Sequence, residues 1–379
     1  MNINNNNNKK NYMKIECLKE NLIDYISIAE KISGKNLTLP VLNNLLLIVK
    51  NNKFYIRSTN LDIGIEINIS AKVISDGVVA VPGVVLYGLI STIYNHNKIT
   101  LEVVNNNLKV STQSSNAIIK TIPNDDFPKL PIIKKNKSIK IKSIDFINGL
   151  RSVWYSASMS SIKQELSSVY IYNDSGKLVF VSTDSFRLAE KTITTNGDID
   201  DFEHILIPLS NINEIIRVLE YIGGSVDVNI ENNQIFFTSD KIYLTSRLIN
   251  GSFPDYKQII PKENTTEVVV LKQDIVNILK NINVFSNKFN QINFYINPKE
   301  KLFKISSKNE NVGEIVDNIE AALSGEIIDI NLNYKYISDS FQSIHSDSVS
   351  LLFSGLSKPV IARGIGDNSF FYLMMPMNK

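Results

Sequence analysis

One strand-like segment that ends in serine recurs at a constant interval, and this repeat constrains the fold more than any other feature. Phe54-Tyr-Ile-Arg-Ser58 matches Leu178-Val-Phe-Val-Ser182, and Leu302-Phe-Lys-Ile-Ser306 follows, each copy starting 124 residues after the one before. The pair Val81-Pro82 also returns, as Ile207-Pro208. Similarity at a fixed long interval is typical of duplicated structural units. The chain of 379 residues is therefore predicted to form three similar domains of ordinary size.

Composition excludes several classes of protein. Lys and Arg total 40 against 38 Asp and Glu, so the net charge of +2 argues neither for nor against nucleic-acid binding. Cys17 is the single cysteine and the three histidines are scattered, so we expect no disulfide, metal site or cofactor. No apolar run is long enough to span a membrane and the Asn-rich amino terminus does not resemble a signal peptide, which predicts a cytoplasmic protein. The Asn-rich segment 1–12 reads as a disordered low-complexity extension.

The apolar spacing predicts an α+β fold. Helical spacing recurs six times, Pro82 and Pro208 mark helix starts, and the sixth helix is expected over Asn333 to Ile344. Asn51-Asn52 and Asn232-Asn233 read as turns between paired strands. Each domain is predicted to pack two helices on an antiparallel sheet. The expected domains are 13–135, 136–262 and 263–379, with a basic linker from Lys134 onward.

The segment Ser182 to Glu190 stands out because a charged turn interrupts a buried strand. Asp184-Ser185 favours a turn, which brings Arg187 to the edge of a sheet. No Gly-x-Ser-x-Gly, His-Glu-x-x-His, phosphate-binding loop or dinucleotide fingerprint occurs anywhere, and Asp125-Asp126 stands alone. The sequence therefore predicts a protein without an active site of its own.

Several motifs together resemble the bacterial DNA polymerase III β subunit family, the β sliding clamps. They are Thr38 to Leu46, Thr183 to Ala189, Leu248 to Tyr256, Asn331 to Tyr336 and Met375-Pro376-Met377, and the similarity covers Met13 to Lys379. The resemblance implies a head-to-tail homodimer whose six domains close into a ring around duplex DNA, with helices lining the hole. Such a ring confers processivity by holding the replicative polymerase near its primer, while its phosphate contacts stay independent of sequence.

The resemblance also implies three sets of site residues. A pocket between the second and third domains would bind peptides that carry a Gln and a Leu/Phe-type motif, from the polymerase, the clamp loader and other DNA-processing proteins. Its residues would be Leu166, Thr183, Ser185, Phe186, Arg187, Leu188, Pro254, Gln258, Ile259, Phe289, Asn333, Tyr336, Leu373, Met374, Met375, Pro376 and Met377. The residues facing DNA would be Lys31, Lys35, Lys163, Arg217, Lys272, Lys280 and Lys335, on helix faces opposite the apolar stripes. The dimer interface would use Ala117, Ile119, Val284 and Phe285.

Each set has a plainer interpretation. Scattered surface lysines usually serve only to solvate a protein, Phe285 can equally close a helix end, and Leu188, Ile259 and Leu373 can be core residues. The apolar chain end Met374 to Met377 is harder to explain in that way, because apolar termini normally fray. Arg187 and Asn333 are expected to satisfy polar groups of the peptide.

Two positions depart from the family pattern. Phe186 stands where the family commonly has His, and Leu209-Ser210 replaces basic residues. Two other functions stay open: an adaptor that binds peptides without encircling DNA, and an enzyme with an unfamiliar site. A dimer favours the ring, whereas a monomer favours the adaptor.

Overall fold

The computed structural model describes residues 13–34, 39–94, 97–134, 138–195, 199, 202 and 204–378. Three predictions therefore lie outside the described residues: the extension 1–12, the placement of Lys35 and the first domain boundary at 135/136.

The described residues contain six α-helices, 26 strands and three short 3-10 helices. The helices are α1 (Glu20–Ile32), α2 (Gly83–Thr92), α3 (Ser143–Val153), α4 (Leu209–Ile222), α5 (Lys272–Asn283) and α6 (Tyr334–Ser340). The first strands are β1 (Lys14–Leu18), β2 (Asn44–Lys50), β3 (Lys53–Thr59), β4 (Ile63–Ile69), β5 (Lys72–Ser75), β6 (Gly77–Pro82), β7 (Lys98–Val104), β8 (Asn107–Ser111) and β9 (Asn116–Lys120). The middle strands are β10 (Ile139–Lys142), β11 (Ser168–Asp174), β12 (Lys177–Thr183), β13 (Arg187–Thr194), β14 (Ile205–Pro208), β15 (Ser225–Glu231), β16 (Gln234–Thr238) and β17 (Ile242–Arg247). The last strands are β18 (Thr266–Leu271), β19 (Gln291–Asn297), β20 (Leu302–Asn309), β21 (Gly313–Asn318), β22 (Ala321–Gly325), β23 (Ile328–Asn333), β24 (Ser348–Phe353), β25 (Val360–Gly364) and β26 (Phe370–Met374).

The first compact unit comprises the described parts of 1–143 and 213–247. It holds a five-stranded sheet in the order β5-β1-β7-β8-β9 and an eight-stranded sheet in the order β10-β15-β16-β17-β4-β3-β2-β6. Helix α1 packs on β3 and β4 through its buried face, which includes Leu22, Ile26 and Ala29. The eight-stranded sheet joins strands of the first and second sequence repeats, because β4 pairs with β17.

The second compact unit comprises the described parts of 144–212 and 248–379. Its nine-stranded sheet runs β14-β11-β12-β13-β26-β25-β24-β18-β22, and its four-stranded sheet runs β21-β20-β19-β23. Here β13 pairs with β26, as β4 pairs with β17 in the first unit. Since each long sheet spans a repeat boundary, the compact units do not coincide with the sequence repeats.

The predicted fold class is confirmed. The strand pairs are antiparallel throughout both units, and the turns Asn51-Asn52, Asn105-Asn106 and Asn232-Asn233 close hairpins. Asn51 and Asn52 have φ values of 53° and 60°, and the other two pairs are also left-handed. Two successive left-handed residues make the tight hairpin turn that fits the twist of paired strands, and Asn tolerates this conformation well.

Buried serine hydroxyls give the internal repeat a structural role. Ser58 Oγ donates to the carbonyl of Ala29 at 2.6 Å, near the end of α1, and Ser182 Oγ donates in the same way to Val153 at the end of α3. In the third copy the donor is Ser307, which bonds Phe285 O at 3.1 Å just after α5. The first two copies thus place a serine hydroxyl on a carbonyl near the end of a helix at the repeat spacing, whereas the donor of the third copy lies one residue after the aligned Ser306.

Two expectations about helices need correction. Helix α6 covers only Tyr334–Ser340, not Asn333 to Ile344, because Asn333 acts as its N-cap and the chain beyond Ser340 tightens into shorter turns. Those turns bury Phe341 and Ile344. Lys163 does not lie on a helix face, since it belongs to the exposed loop between α3 and β11. None of the helices in the described residues is long and apolar enough to cross a membrane.

Candidate functional site

The turn from Thr183 to Arg187 is fixed by its own side chains. Asp184 Oδ1 accepts the backbone N–H groups of Phe186 at 2.9 Å and Arg187 at 3.0 Å. Thr183 Oγ1 accepts the N–H of Ser185 at 3.1 Å and donates to the carbonyl of Arg187 at 2.6 Å. Ser185 is left-handed, with φ 79°. Side-chain bonds of this kind hold a loop in one conformation.

The same turn occurs in the first repeat, so its geometry belongs to the duplicated unit. Asn60 Oδ1 accepts the N–H groups of Asp62 at 3.0 Å and Ile63 at 2.9 Å, and Leu61 has φ 81°. The two copies differ in their last residue. Ile63 is a buried apolar residue there, whereas Arg187 begins β13 in the second copy.

Arg187 is enclosed by acidic and aromatic side chains. Its Nε lies 2.9 Å from Asp184 Oδ2, and its Nη1 lies 2.6 Å from Asp339 Oδ2 on α6. The guanidinium carbon stands 4.6 Å from the centre of the Tyr336 ring. Burial by itself lowers the pKa of Arg187, but Tyr372 and the two carboxylates together raise it above its usual range. The side chain therefore stays charged, and it joins the turn to α6.

The carboxyl-terminal tail is held by backbone bonds at both ends. The N–H of Met375 donates to Phe186 O, and the N–H of Met377 donates to Asn331 O, each at 2.8 Å. Met375 thus lies against the turn, and Met377 lies beside β23. These bonds explain how an apolar chain end is kept from fraying.

Asn333 orders the opposite side of this region. Its Oδ1 accepts the N–H groups of Lys335 at 2.9 Å and Tyr336 at 3.4 Å, which caps α6. Its Nδ2 donates to Phe289 O at 3.5 Å and so holds the loop that carries Phe289. The Oδ1 of Asn333 therefore caps α6, while the bond to Phe289 uses one of the two N–H groups on Nδ2.

Burial divides the residues predicted for the pocket into two groups. Leu166, Thr183, Leu188, Leu373 and Met374 are buried. Leu188 and Leu373 form one core cluster with Val179, Val181 and Tyr256. The exposed group is Ser185, Phe186, Pro254, Gln258, Ile259 and Phe289, and the half-buried group is Arg187, Asn333, Tyr336, Met375, Pro376 and Met377. Leu188 and Leu373 are thus core residues, as their plainer interpretation holds, whereas Ile259 is not, because it is 49% exposed.

The contacts join part of the predicted set. Arg187 and Tyr336 meet directly, and the tail reaches both the turn and β23. Gln258 instead donates to Asp255 at 2.7 Å. Sequence reasoning named Asp184 only as a turn residue and missed Asp339 altogether. Asp339 had a signal, because it lies three residues after Tyr336 and so shares its helix face.

The predicted DNA-facing residues lie in varied surroundings. Lys163, Lys280 and Lys335 are exposed. Lys31 is exposed in the last turn of α1, 3.5 Å from Glu30. Arg217 bonds Glu214 at 2.6 Å, and Lys272 donates to Ile344 O at 2.5 Å.

Comparison with known proteins assigns the class of protein to which this arrangement belongs. Family models for the DNA polymerase III beta subunit match residues 13–131 (N-terminal domain), 140–255 (central domain) and 257–378 (C-terminal domain). The chain is 26% identical to the beta sliding clamp of Synechocystis sp., over 96% of this chain and 99% of that one. Its fold matches the DNA polymerase III beta subunit of Thermotoga maritima (TM-score 0.89, 24% identity) and the sliding clamp of Bacillus subtilis (TM-score 0.92, 21% identity), each over 97% of this chain and all of the other.

The chain belongs to the DNA polymerase III beta subunit family, the beta sliding clamps. Members of this family are processivity factors of DNA replication without a catalytic site of their own. The resemblance noted in the sequence is thereby confirmed, together with the three-domain clamp fold.

Proposed function

We propose that this protein forms a head-to-tail homodimer that encircles duplex DNA and tethers the replicative polymerase and other proteins through the site around Arg187. Family membership supports the role of the whole chain as a sliding clamp. Its action would take place in the cytoplasm, where bacterial DNA is replicated. The observation that carries the dimer is a pair of matching sheet edges.

The edges are β9 in the five-stranded sheet and β21 in the four-stranded sheet, each at one end of its strand order in the described residues. Both edges carry exposed apolar side chains, since Ile118 is 68% exposed and Val316 is 59% exposed. An unpaired apolar edge strand invites pairing with another chain. A contact between β9 of one copy and β21 of a second copy would cover both edges, which suits a heterologous interface.

The backbone hydrogen bonds specify how the two edges fit. Thr112 N–H donates to Ser115 O across the β8–β9 turn, and Ile319 N–H donates to Phe303 O beside β21. Antiparallel strands alternate bonded and non-bonded pairs. It follows that the backbone groups at Asn116, Ile118 and Lys120 point away from β8, and those at Glu314, Val316 and Asn318 point away from β20.

One antiparallel register makes every outward pair complementary. It sets Ile118 opposite Val316, which also brings Lys120 opposite Glu314 and Asn116 opposite Asn318. All six side chains are exposed, so each is available for pairing. Cross-strand apolar and opposite-charge pairs each contribute roughly 0.2–1 kcal/mol. Ala117 and Ile119 would lie on the other face, toward the cores.

A charge-swap cycle tests this interface. Lys120→Glu or Glu314→Lys alone places like charges opposite each other and should weaken dimerisation by roughly fivefold. The double variant restores the pair and should recover most of the loss, as measured by analytical ultracentrifugation at low salt. If the double variant loses as much dimer affinity as the two single variants combined, the proposed register is contradicted.

Encirclement has its own test. Protein loaded by its clamp loader on closed circular DNA should resist a salt wash and leave once the DNA is linearised. Salt screens phosphate contacts, whereas it does not open a closed ring. Equal loss from both forms of DNA would contradict encirclement and leave a peptide-binding adaptor as the function.

We assign the DNA contacts to the lysines and arginine predicted from the family. Lys163, Lys280 and Lys335 are supported best, because their exposed amines can reach phosphates without breaking an internal bond. Lys31, Lys35, Arg217 and Lys272 complete the set. Weak contacts of this kind let a protein slide along DNA.

We also propose that the pocket residues bind the tethering peptides. Exposed Phe186, Phe289 and Ile259 offer apolar contacts, and the methionine-containing tail offers an adaptable wall. The domain boundaries 135/136 and 262/263 are part of this proposal, with the pocket formed from the second and third domains.

A further inference from the structure

Asp339 presents the accessible charge beside the Arg187 turn. The Arg187 side chain is 12% exposed, whereas the Asp339 side chain is 40% exposed. Asp339 Oδ2 is bonded to Arg187, and its Oδ1 makes no hydrogen bond within the part of the chain that the structure describes. A ligand that approaches this corner therefore meets a carboxylate oxygen before it meets the guanidinium.

The Arg187 guanidinium is largely enclosed by its neighbours. The Tyr336 ring covers one face of the guanidinium at 4.6 Å, and two carboxylates occupy its edges. Asp184 is also committed, because its Oδ1 accepts two backbone N–H groups and its Oδ2 bonds Nε. One guanidinium and two carboxylates leave this cluster with a formal charge of −1.

The first repeat shows that the turn itself does not require this cluster. Ile63 occupies the position of Arg187 and is only 2% exposed, yet the turn keeps the same internal hydrogen bonds. The Arg187–Asp339 pair is thus a feature of this site and not a condition for folding the turn.

We propose that Asp339 is a specificity residue of the peptide site, which selects a neutral hydrogen-bond donor, such as a side-chain carboxamide, over a carboxylate. The inference rests on the proposed peptide-binding function. Asp339 Oδ1 accepts a donor N–H, while the net negative charge repels an acidic side chain at short range. The ion pair with Arg187 holds the Asp339 side chain in position.

The test uses two peptides with a Leu/Phe motif that differ only in Gln or Glu at the polar position. Titrated by fluorescence anisotropy at low salt, the parent protein should prefer the Gln peptide by on the order of tenfold. Asp339→Asn should reduce that preference to about threefold or less, mainly because the Glu peptide gains affinity. Asp339→Glu keeps the charge and should keep the preference.

Asp174→Asn is the matched control, because Asp174 forms a solvent-exposed pair with Lys257 at 3.5 Å in the same unit. It should leave the peptide preference unchanged. Thermal unfolding of each variant separates a specificity change from a loss of fold. If folded Asp339→Asn still binds the Gln peptide and keeps the parent's preference for it, the inference about Asp339 is overturned while the proposed peptide site stands. Failure of the parent protein to bind either peptide overturns the proposed peptide site as well.

Discussion

At the scale of single residues, the protein is specialised by substitutions within a duplicated framework. The Thr59 and Thr183 turns share their hydrogen bonds, and only the second ends in a charged residue that reaches α6. Leu188 and Gly64 occupy equivalent positions in the two repeats. Each is the residue after the turn's last residue, and each pairs with a strand of the following repeat. A Cβ at Gly64 would lie 2.4 Å from Cδ2 of Leu130, so a side chain there would have to displace Leu130.

Two helical glycines give a stability prediction with a built-in control. A Cβ at Gly149 in α3 would lie 2.4 Å from the Phe180 ring, whereas one at Gly88 in α2 meets nothing within 4 Å. Gly149→Ala should destabilise by about 1–3 kcal/mol through overpacking. Gly88→Ala should stabilise by roughly 0.5–1 kcal/mol, because alanine favours the helix. Urea unfolding measures both changes, and equal effects at the two sites would contradict the packing around Gly149.

Phe186 gives a binding prediction at the position where the family commonly has His. Its ring is 61% exposed, so it contributes little to the core and is available to a peptide. Phe186→Ala should weaken binding of a clamp-motif peptide by about tenfold while leaving the unfolding temperature nearly unchanged. Leu356→Ala is the control, since Leu356 is 59% exposed and has no assigned role. Equal affinity in both variants would remove Phe186 from the site.

At the scale of elements, local chemistry predicted the hairpins but not the helix ends. The turns Asn51-Asn52 and Asn232-Asn233 followed from the preference of Asn for left-handed backbone, which tertiary contacts do not alter. The end of α6 did not follow, because Phe341 and Ile344 continue the helical spacing yet are buried by a tighter turn. Apolar periodicity cannot separate these two outcomes.

The tail gives a prediction at this scale. Deleting Met375 to Lys379 removes the hydrogen bonds of Met375 and Met377 but leaves β26 and the buried cores in place. We expect a folded dimer with a modest change in thermal unfolding and a peptide affinity reduced by roughly thirtyfold. Collapse of the dimer would make the tail a structural element, and full peptide affinity would place the pocket elsewhere.

At the scale of the whole molecule, pairing across repeats and between copies follows from the same need to cover strand edges. Within each chain, β4–β17 and β13–β26 join successive repeats into long sheets. Among the sheet edges of the described residues, β9 and β21 are the two that the proposed dimer would cover.

Val284 gives a prediction about assembly that is easier to interpret than a substitution of the neighbouring Phe285. Val284 is 65% exposed, whereas Phe285 is half-buried and would lie 3.7 Å from a Cβ placed on Gly313. Val284→Asp should raise the dimer dissociation constant by at least about tenfold without unfolding the monomer, because the interface would bury a charge. Ile365→Asp, at an exposed apolar position outside the proposed interface, is the control. An unchanged mass of Val284→Asp in sedimentation contradicts its place in the interface.

The sequence by itself determined the features that depend on local chemistry and on repetition. The constant spacing of the Ser58, Ser182 and Ser306 segments established the three domains, and the clustered motifs established the family. Only the tertiary structure decided which side chains of the candidate site are exposed. It buried Leu188 and Leu373, left Phe186 exposed, and enclosed Arg187 between Asp184 and Asp339. Exposure and charge pairing depend on contacts between residues 152 positions apart, as with Arg187 and Asp339, and no local pattern records such a contact.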